Sequence, residues 1–478
     1  MHADESHAFI PLRSSLPSAE SAKSAEALPG PGSRKRELTR HAYSPATDQP
    51  HRSPKPPESL PRPQPLTMKT TLPFLAAAAL LLAAAPARAA LVIPGADGSD
   101  GALHITNHTV IDLSQAITGA WDTNNAANAG RGVYDPEKWA VVFKYTDVNI
   151  AAGTTVTFTN HPTRAPVVWL VNGNVTISGA LDLNGKNSVS FPGLAEPGPG
   201  GFRGGSGYYS TGASDASGFG PGAGLIGNSG SYGSSAAGMR TYRNPSLLPL
   251  VGGSGGSGMG IAQNGSRFAA SGGGGGGAIL IACQNVLQID GRIRARGGLA
   301  GFADNPQRGS GNGSGGGVRM VCAELDGTGM IDAIGGNQGN WGRGDGGLGR
   351  IRVERSVNRG NVGSVPDPSV IDLPDGATAL LWPPAGAPEV RILSIGDVAV
   401  PDDPLAAFGT YGADVALPAT DAVQIVVETA HVEEASEVKI RVTPRSSGNY
   451  AEARAPVDTI VSADPLVIRW QAGLPAGI

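Results

Sequence analysis

Leu287-Gln288-Ile289-Asp290-Gly291-Arg292-Ile293-Arg294-Ala295-Arg296-Gly297 decides the fold, because the chain carries the same phrase twice more. Val175-Thr176-Ile177-Ser178-Gly179-Ala180-Leu181-Asp182-Leu183-Asn184-Gly185 aligns with it without a gap. So does Leu325-Asp326-Gly327-Thr328-Gly329-Met330-Ile331-Asp332-Ala333-Ile334-Gly335. In each copy every second residue is apolar or glycine, the period of a strand whose alternate side chains share one face. That rule places Val175, Ile177, Leu181, Leu183, Leu287, Ile289, Ile293, Ala295, Leu325, Ile331 and Ala333 inside. The glycine midway in each copy reads as a bend between two strands, since glycine accepts φ > 0.

A second phrase precedes the first: Gly276-Gly277-Ala278-Ile279-Leu280-Ile281-Ala282-Cys283, then Gly316-Gly317-Val318-Arg319-Met320-Val321-Cys322, and in reduced form Gly349-Arg350-Ile351-Arg352-Val353. Apolar runs bounded by glycine read as strands, and their recurrence reads as stacked coils that bury one stripe against their neighbours. The expected fold is all-β: a right-handed parallel β-helix (a solenoid) with glycine-rich insertions. The midway glycines Gly179 and Gly291 are 112 residues apart, and Gly291 and Gly329 are 38 apart. Both excursions leave after the same strand, so they should gather on one side. Outward slots also align, Asp182 with Arg294 and Asp332, and Ser178 with Asp290 and Thr328, which reads as charge pairing along a ladder. The competing reading is a disordered glycine-rich chain with coincidental strands.

Residues 1–67 are rich in Pro, Ser, Arg and His, lack apolar periodicity, and read as a disordered extension outside the true start. Met68-Lys69, an apolar run from Leu72 to Ala85, and Ala87-Arg88-Ala89 form the pattern of a secretory signal peptide over 68–89, with cleavage near Ala89. The alternative is a cytoplasmic segment before a membrane anchor, although the run is shorter than the ~20 residues a spanning helix needs. The whole chain has 36 basic and 40 acidic residues; without the eleven basic and seven acidic ones before Ala90, the net charge is −8. An acidic chain argues against nucleic acid as a partner. The expected product is secreted or held at a cell surface, with no transmembrane segment.

Residues 90–147 read as an N-terminal cap, and 148–356 as the glycine-rich β-helix with its insertion at 186–277. The insertion is poor in apolar residues, which leaves two readings: a mobile loop, or extended polyglycine packed on the solenoid. Residues 357–387 read as a linker. From 388 to 478 glycine falls away and strands such as Val423-Gln424-Ile425-Val426-Val427-Glu428 alternate at short intervals, as in a small Ig-like β-sandwich. Cys283 and Cys322 end equivalent strands. Counted from Gly277 and Gly317 they are out of register by one residue, so a disulfide would require a bulge; the other reading is two reduced, small apolar residues.

Gly342-Arg343-Gly344-Asp345-Gly346-Gly347 fits the dinucleotide pattern GxGxxG, and Gly252-Gly253-Ser254-Gly255-Gly256 mimics a nucleophile elbow, but no helix-period segment follows either one. No catalytic residues and no cofactor are assigned. Asp97-Gly98-Ser99-Asp100-Gly101 is the one candidate cation loop, with Asp97 and Asp100 as oxygen ligands for calcium or as a plain solvated turn. Of the histidines, only His104, His108, His161 and His431 follow the leader, and they are scattered.

The runs Asp97 to Leu103, Val148 to Phe158, Gly198 to Gly205 and Ser271 to Ala282 resemble those of a group of glycine-rich exported bacterial surface proteins with a parallel β-helix-like repeat region. Pro388 to Pro444 resembles the sandwich domain that can follow it. The resemblance implies export and a β-helix, and it brings no catalytic residues with it. The resulting expectation is a non-catalytic structural or adhesive protein, with extracellular polysaccharide or the cell envelope as partner. The alternative is a polysaccharide lyase or glycoside hydrolase built on the same helix.

Overall fold

The computed structural model describes residues 89–474 except 124–127, 129, 191–192, 209–213, 237–240, 243–244, 264–265, 302–308, 338–343, 403, 405–412, 418–421 and 446–447. The N-terminal extension and most of the leader lie outside the described residues. Strands dominate, with a short 3-10 turn at Leu113–Gln115.

Two mainly parallel sheets organise residues 101–372, and the chain passes from one to the other repeatedly. The larger, eleven-stranded sheet takes Gly101–Ile105, Ala140–Ile150, Val175–Ile177, Val286–Ile289, Gly317–Asp326 and Arg350–Asn358. After each of these strands the chain supplies one to a six-stranded sheet: Thr109–Asp112, Thr155–Thr159, Ala180–Asp182, Arg292–Arg294, Met330–Asp332 and Gly363–Val365. Leu287 lies opposite both Val175 and Leu325, and Ile293 opposite both Leu181 and Ile331, which is the gapless alignment of the three phrases. All eleven residues assigned inward by alternation belong to one buried cluster between the sheets. Each fully buried Leu or Ile there contributes about 1.5–3 kcal/mol.

The midway glycines serve a different purpose from the one expected. Gly179, Gly291 and Gly329 do not take a positive φ. A Cβ on Gly291 would lie 1.8 Å from the Gly179 carbonyl oxygen, so glycine is required there by the closeness of the stacked corners. Gly327, with φ of 105°, is the residue that takes the left-handed conformation.

The glycine-rich excursions form a second kind of structure. Along 271–277 the backbone N–H groups donate to three different neighbours in strict rotation. Ser271, Gly274 and Gly277 bond to the carbonyls of Val189, Lys186 and Leu183; Gly272 and Gly275 to Gly205 and Phe202; Gly273 and Gly276 to Gly311 and Ser314, all at 2.8–3.0 Å. Three residues per turn is the geometry of the polyproline II helix, which makes no hydrogen bonds within itself and so directs every N–H outward. Neighbouring extended segments supply the carbonyls, and a bundle of chains results. At its glycines a side chain has no room: a Cβ on Gly275 would meet the Gly253 oxygen at 1.9 Å, and one on Gly316 the Gly277 oxygen at 1.8 Å. Of the two readings of the insertion, its described residues take the packed one.

Ladder strands cross two of the expected boundaries, Ala140–Ile150 the one at 147 and Arg350–Asn358 the one at 356. In the N-terminal region Gly101–Ile105 and Thr109–Asp112 are already ladder strands. The presumed linker supplies Gly363–Val365 and Ser369–Asp372 to the two sheets. Its Ala379 and Leu381 join Leu91, Ile93 and Ala96 in a second core against the outer side of the larger sheet, where Val168, Leu170, Leu280 and Val321 project. Proline and glycine mark chain reversals here without marking a domain boundary.

Beyond residue 388 the described strands pair antiparallel with one another. A five-stranded sheet (Val398–Ala399, Glu389–Ile395, Val423–Ala430, Leu466–Leu474, Val457–Ala463) packs with the hairpin Val438–Val442 and Ala451–Ala455 around Ile425, Ile440, Ile468 and Trp470. The indole N–H of Trp470 donates to Thr429 Oγ1 at 2.8 Å, which satisfies a buried polar atom. This module is fastened to the glycine bundle: Ser217 N–H donates to the Gly448 carbonyl at 3.0 Å, and Arg441 Nη1 donates to the carbonyls of Gly220 and Pro221 at 3.0 and 2.9 Å.

Candidate functional site

The acidic loop at Asp97–Gly101 folds onto the strand Ala140–Ile150, and Lys144 bonds to both of its carboxylates, to Asp97 through the ammonium and to Asp100 through the backbone N–H. The Lys144 side chain is only 3% exposed, and the ammonium donates to Asp97 Oδ2 at 3.2 Å and to the Thr123 carbonyl at 3.0 Å. Asp100 Oδ2 accepts from the Lys144 backbone N–H at 2.6 Å, while Asp100 N–H donates back to the Lys144 carbonyl at 2.8 Å. Burial pushes Asp97 up, but the Ser99 hydrogen bonds and the Lys144 charge outweigh it and leave this carboxyl below its ordinary value. For Asp100 burial prevails, and the carboxyl is held above its ordinary value. Together the loop and Lys144 act as an anchor for the start of the fold. Among the described residues no three His, Cys, Asp or Glu side chains converge as a metal site.

Cys283 and Cys322 are free thiols, both buried in the core between the sheets. Their register corrects the expected one. Gly317 lies opposite Ala278, not Gly277, and the pairing runs on to Ala282 opposite Val321, which brings the cysteines level without a bulge between them. The extra residue falls later: three residues separate Ala282 from Val286, where two separate Val321 from Glu324. Burial raises both thiols, Cys322 to about 12 and Cys283 well above its ordinary value with Cys322 adding to the effect. Such thiols are protonated at neutral pH and are weak nucleophiles.

One pairing escaped the sequence. His104 Nε2 is hydrogen-bonded to Asp147 Oδ2, and both side chains are exposed. The His104 hydrogen bond, above all, holds the Asp147 carboxyl below its ordinary value. The two lie 43 residues apart and meet only because Gly101–Ile105 pairs with Ala140–Ile150 through an irregular register. From His104 an outward row continues through Asn149, Thr176, Gln288 and Asp326 on successive strands, which lie ~4.8 Å apart. His161 is elsewhere and buried; its ring stacks on Tyr134 at 4.1 Å, and burial lowers it to about 4.

Several charged groups are engaged within the fold. Arg319 Nε donates to Glu354 Oε1 at 2.8 Å with both side chains buried, and Arg319 also reaches the Leu380 carbonyl at 2.5 Å. Burial opposes ionisation of Glu354, but Arg319 and Arg352 more than offset it and lower its pKa. Glu196 is held between Arg164 and Arg203. The aligned outward charges behave as expected in part: Arg294 Nη1 lies 4.0 Å from Asp182 Oδ2, whereas Asp332 pairs with Arg296.

Compared with known protein families, with curated proteins and with solved structures, the chain matches none. Among the described residues no helix is long and apolar enough to cross a membrane.

Proposed function

We propose that this is an exported, non-catalytic surface protein in which a right-handed parallel β-helix, braced by its glycine bundle and followed by an Ig-like sandwich, serves as a structural or adhesive module contacting extracellular polysaccharide. The observation that carries this reading is the three-way hydrogen-bonded packing of 271–277. Glycine-rich chain that could have formed mobile loops around a cleft is instead bonded backbone to backbone, which suits a rigid support. The resemblance to exported glycine-rich surface proteins supports the same reading. The outward row of His104, Asn149, Thr176, Gln288 and Asp326 offers amide, hydroxyl and carboxylate groups to a polyhydroxylated chain, with the β-strand spacing as its repeat.

The alternative, a polysaccharide lyase or glycoside hydrolase, is favoured by one observation: the exposed His104–Asp147 pair, an imidazole oriented by a carboxylate and thus suited to general acid–base work. Incubation with a panel of cell-wall and extracellular polysaccharides separates the readings. Retention without product, reduced by Thr176→Ala with Gln288→Ala, supports the adhesive module. Release of reducing or unsaturated ends that is lost in His104→Ala replaces it with an enzyme.

A further inference from the structure

The chain segment that follows the signal-peptide pattern is woven into the fold from its second residue. Ala89 and Ala90 are exposed. Leu91 is 1% exposed, and its N–H donates to the Gln284 carbonyl at 2.9 Å. Val92 is held on both sides of its peptide unit: its N–H donates to the Ala377 carbonyl, and its carbonyl accepts from the Ala379 N–H, each at 2.9 Å. Leu91, Ile93 and Ala96 are buried in the second core with Val168, Leu170, Ala282 and Leu381. Gly95 lies beneath Trp121, so close that a Cβ there would come within 2.7 Å of the ring, and Asp97 and Asp100 are then tied to Lys144. Residues 91–96 thus form a strap bonded at its outset to the end of one core strand and alongside the 377–379 segment.

A peptidase acts where the backbone around the scissile bond is neither buried nor hydrogen-bonded. Here the second residue after the Ala89–Ala90 bond has a buried, bonded N–H, and the third has both backbone groups engaged. We propose that Leu91–Ala96 is a locking strap, and that a signal peptidase hydrolyses the Ala89–Ala90 bond only before this strap docks, so that folding closes the processing site. In the step, water adds across the peptide C–N bond and leaves a carboxylate on Ala89 and a free amine on Ala90. The proposal rests on the reading that the chain is exported.

The test offers the full chain to a signal peptidase in its folded form and freshly diluted from denaturant, with the new terminus read by mass spectrometry. Cleavage after Ala89 is expected to be at least about tenfold slower in the folded chain, because it must wait for local opening. Val92→Pro and Ala379→Pro, each removing one strap hydrogen bond, should restore cleavage of the folded chain. Equal rates for both forms overturn the strap proposal. Failure to cut either form after Ala89 overturns the export reading and the proposal with it. If the proline variants do not fold, hydrogen exchange of the wild-type chain decides: Leu91 and Val92 amides protected as well as that of Ile293 support the strap, and exchange as fast as that of Ala90 overturns it.

Discussion

The two-sheet core and the glycine bundle lie side by side and satisfy the same requirement, buried backbone with every polar group paired, by opposite means. Between the sheets, Val175, Leu287 and Leu325 stack their side chains, and the backbone bonds only sideways to the next strand. In the bundle glycine replaces most side chains, small serines such as Ser271 and Ser254 accept backbone N–H groups, and the backbone of 271–277 bonds in three directions. The first arrangement is stabilised by apolar burial, the second by hydrogen bonds and close contact between chains. The difference lies in tolerance: a side-chain core can lose a methyl group and relax, while a backbone bundle has nothing flexible to give way.

Substitutions should expose that contrast. Gly316→Ala puts a methyl group 1.8 Å from the Gly277 oxygen, against backbone alone. The expected cost is about 4 kcal/mol or more, among the largest single-residue effects, read as a loss of soluble folded protein or a collapse of the denaturant midpoint. Ile293→Ala in the side-chain core should cost about 2–5 kcal/mol, as large-to-small core changes do, and should leave a protein that still folds. A smaller loss for Gly316→Ala than for Ile293→Ala would show that the bundle is looser than its contacts indicate.

Acid sharpens the comparison, because the titrating groups lie around the sheets while the glycine segments carry few. The His161 pKa falls from 6.5 to about 4 on folding. Within that window the unfolded chain binds the proton and the folded chain does not, so stability decreases as pH falls through it, by up to roughly 3 kcal/mol. His161→Gln should flatten the denaturation curve between these pH values. Glu354 is also depressed, so its contribution is full above its unfolded pKa and is lost as pH falls further. Cys322→Ala is expected to cost about 1 kcal/mol as a small core truncation. Wild-type melting should be the same with and without reductant, and a lower melting temperature in reductant would mean that Cys283 and Cys322 are bonded in solution. The smallest effect belongs to the surface: Thr176→Ala should stay within about 0.5 kcal/mol in stability while lowering polysaccharide retention.

Much of the ladder was legible because alternation and spacing are local properties. The offset of 112 residues read from the glycines recurs where the backbone N–H groups of Val286, Arg296 and Leu299 donate to Oδ1 of Asn174, Asn184 and Asn187. The candidate sites were less legible. Asp97 and Asp100 attracted notice as neighbouring carboxylates, but their partner Lys144 is distant in sequence and belongs to a strand that reads as apolar. His104 and Asp147 carry no shared pattern, because the irregular register that brings them together is a feature of pairing and not of composition.

By itself the sequence determined the all-β character, the inward residues of the three aligned phrases and the level at which they stack, since side-chain alternation leaves only one face to bury. Tertiary structure alone decided what the glycines are for. Whether a glycine run is mobile or packed depends on whether carbonyls from other segments stand opposite its N–H groups, and those of Val189, Gly205 and Gly311 come from three distant parts of the chain. It also decided that Leu91–Ala96 is a strap, because its partners Gln284 and Ala377 are brought to it only when the sheets have formed.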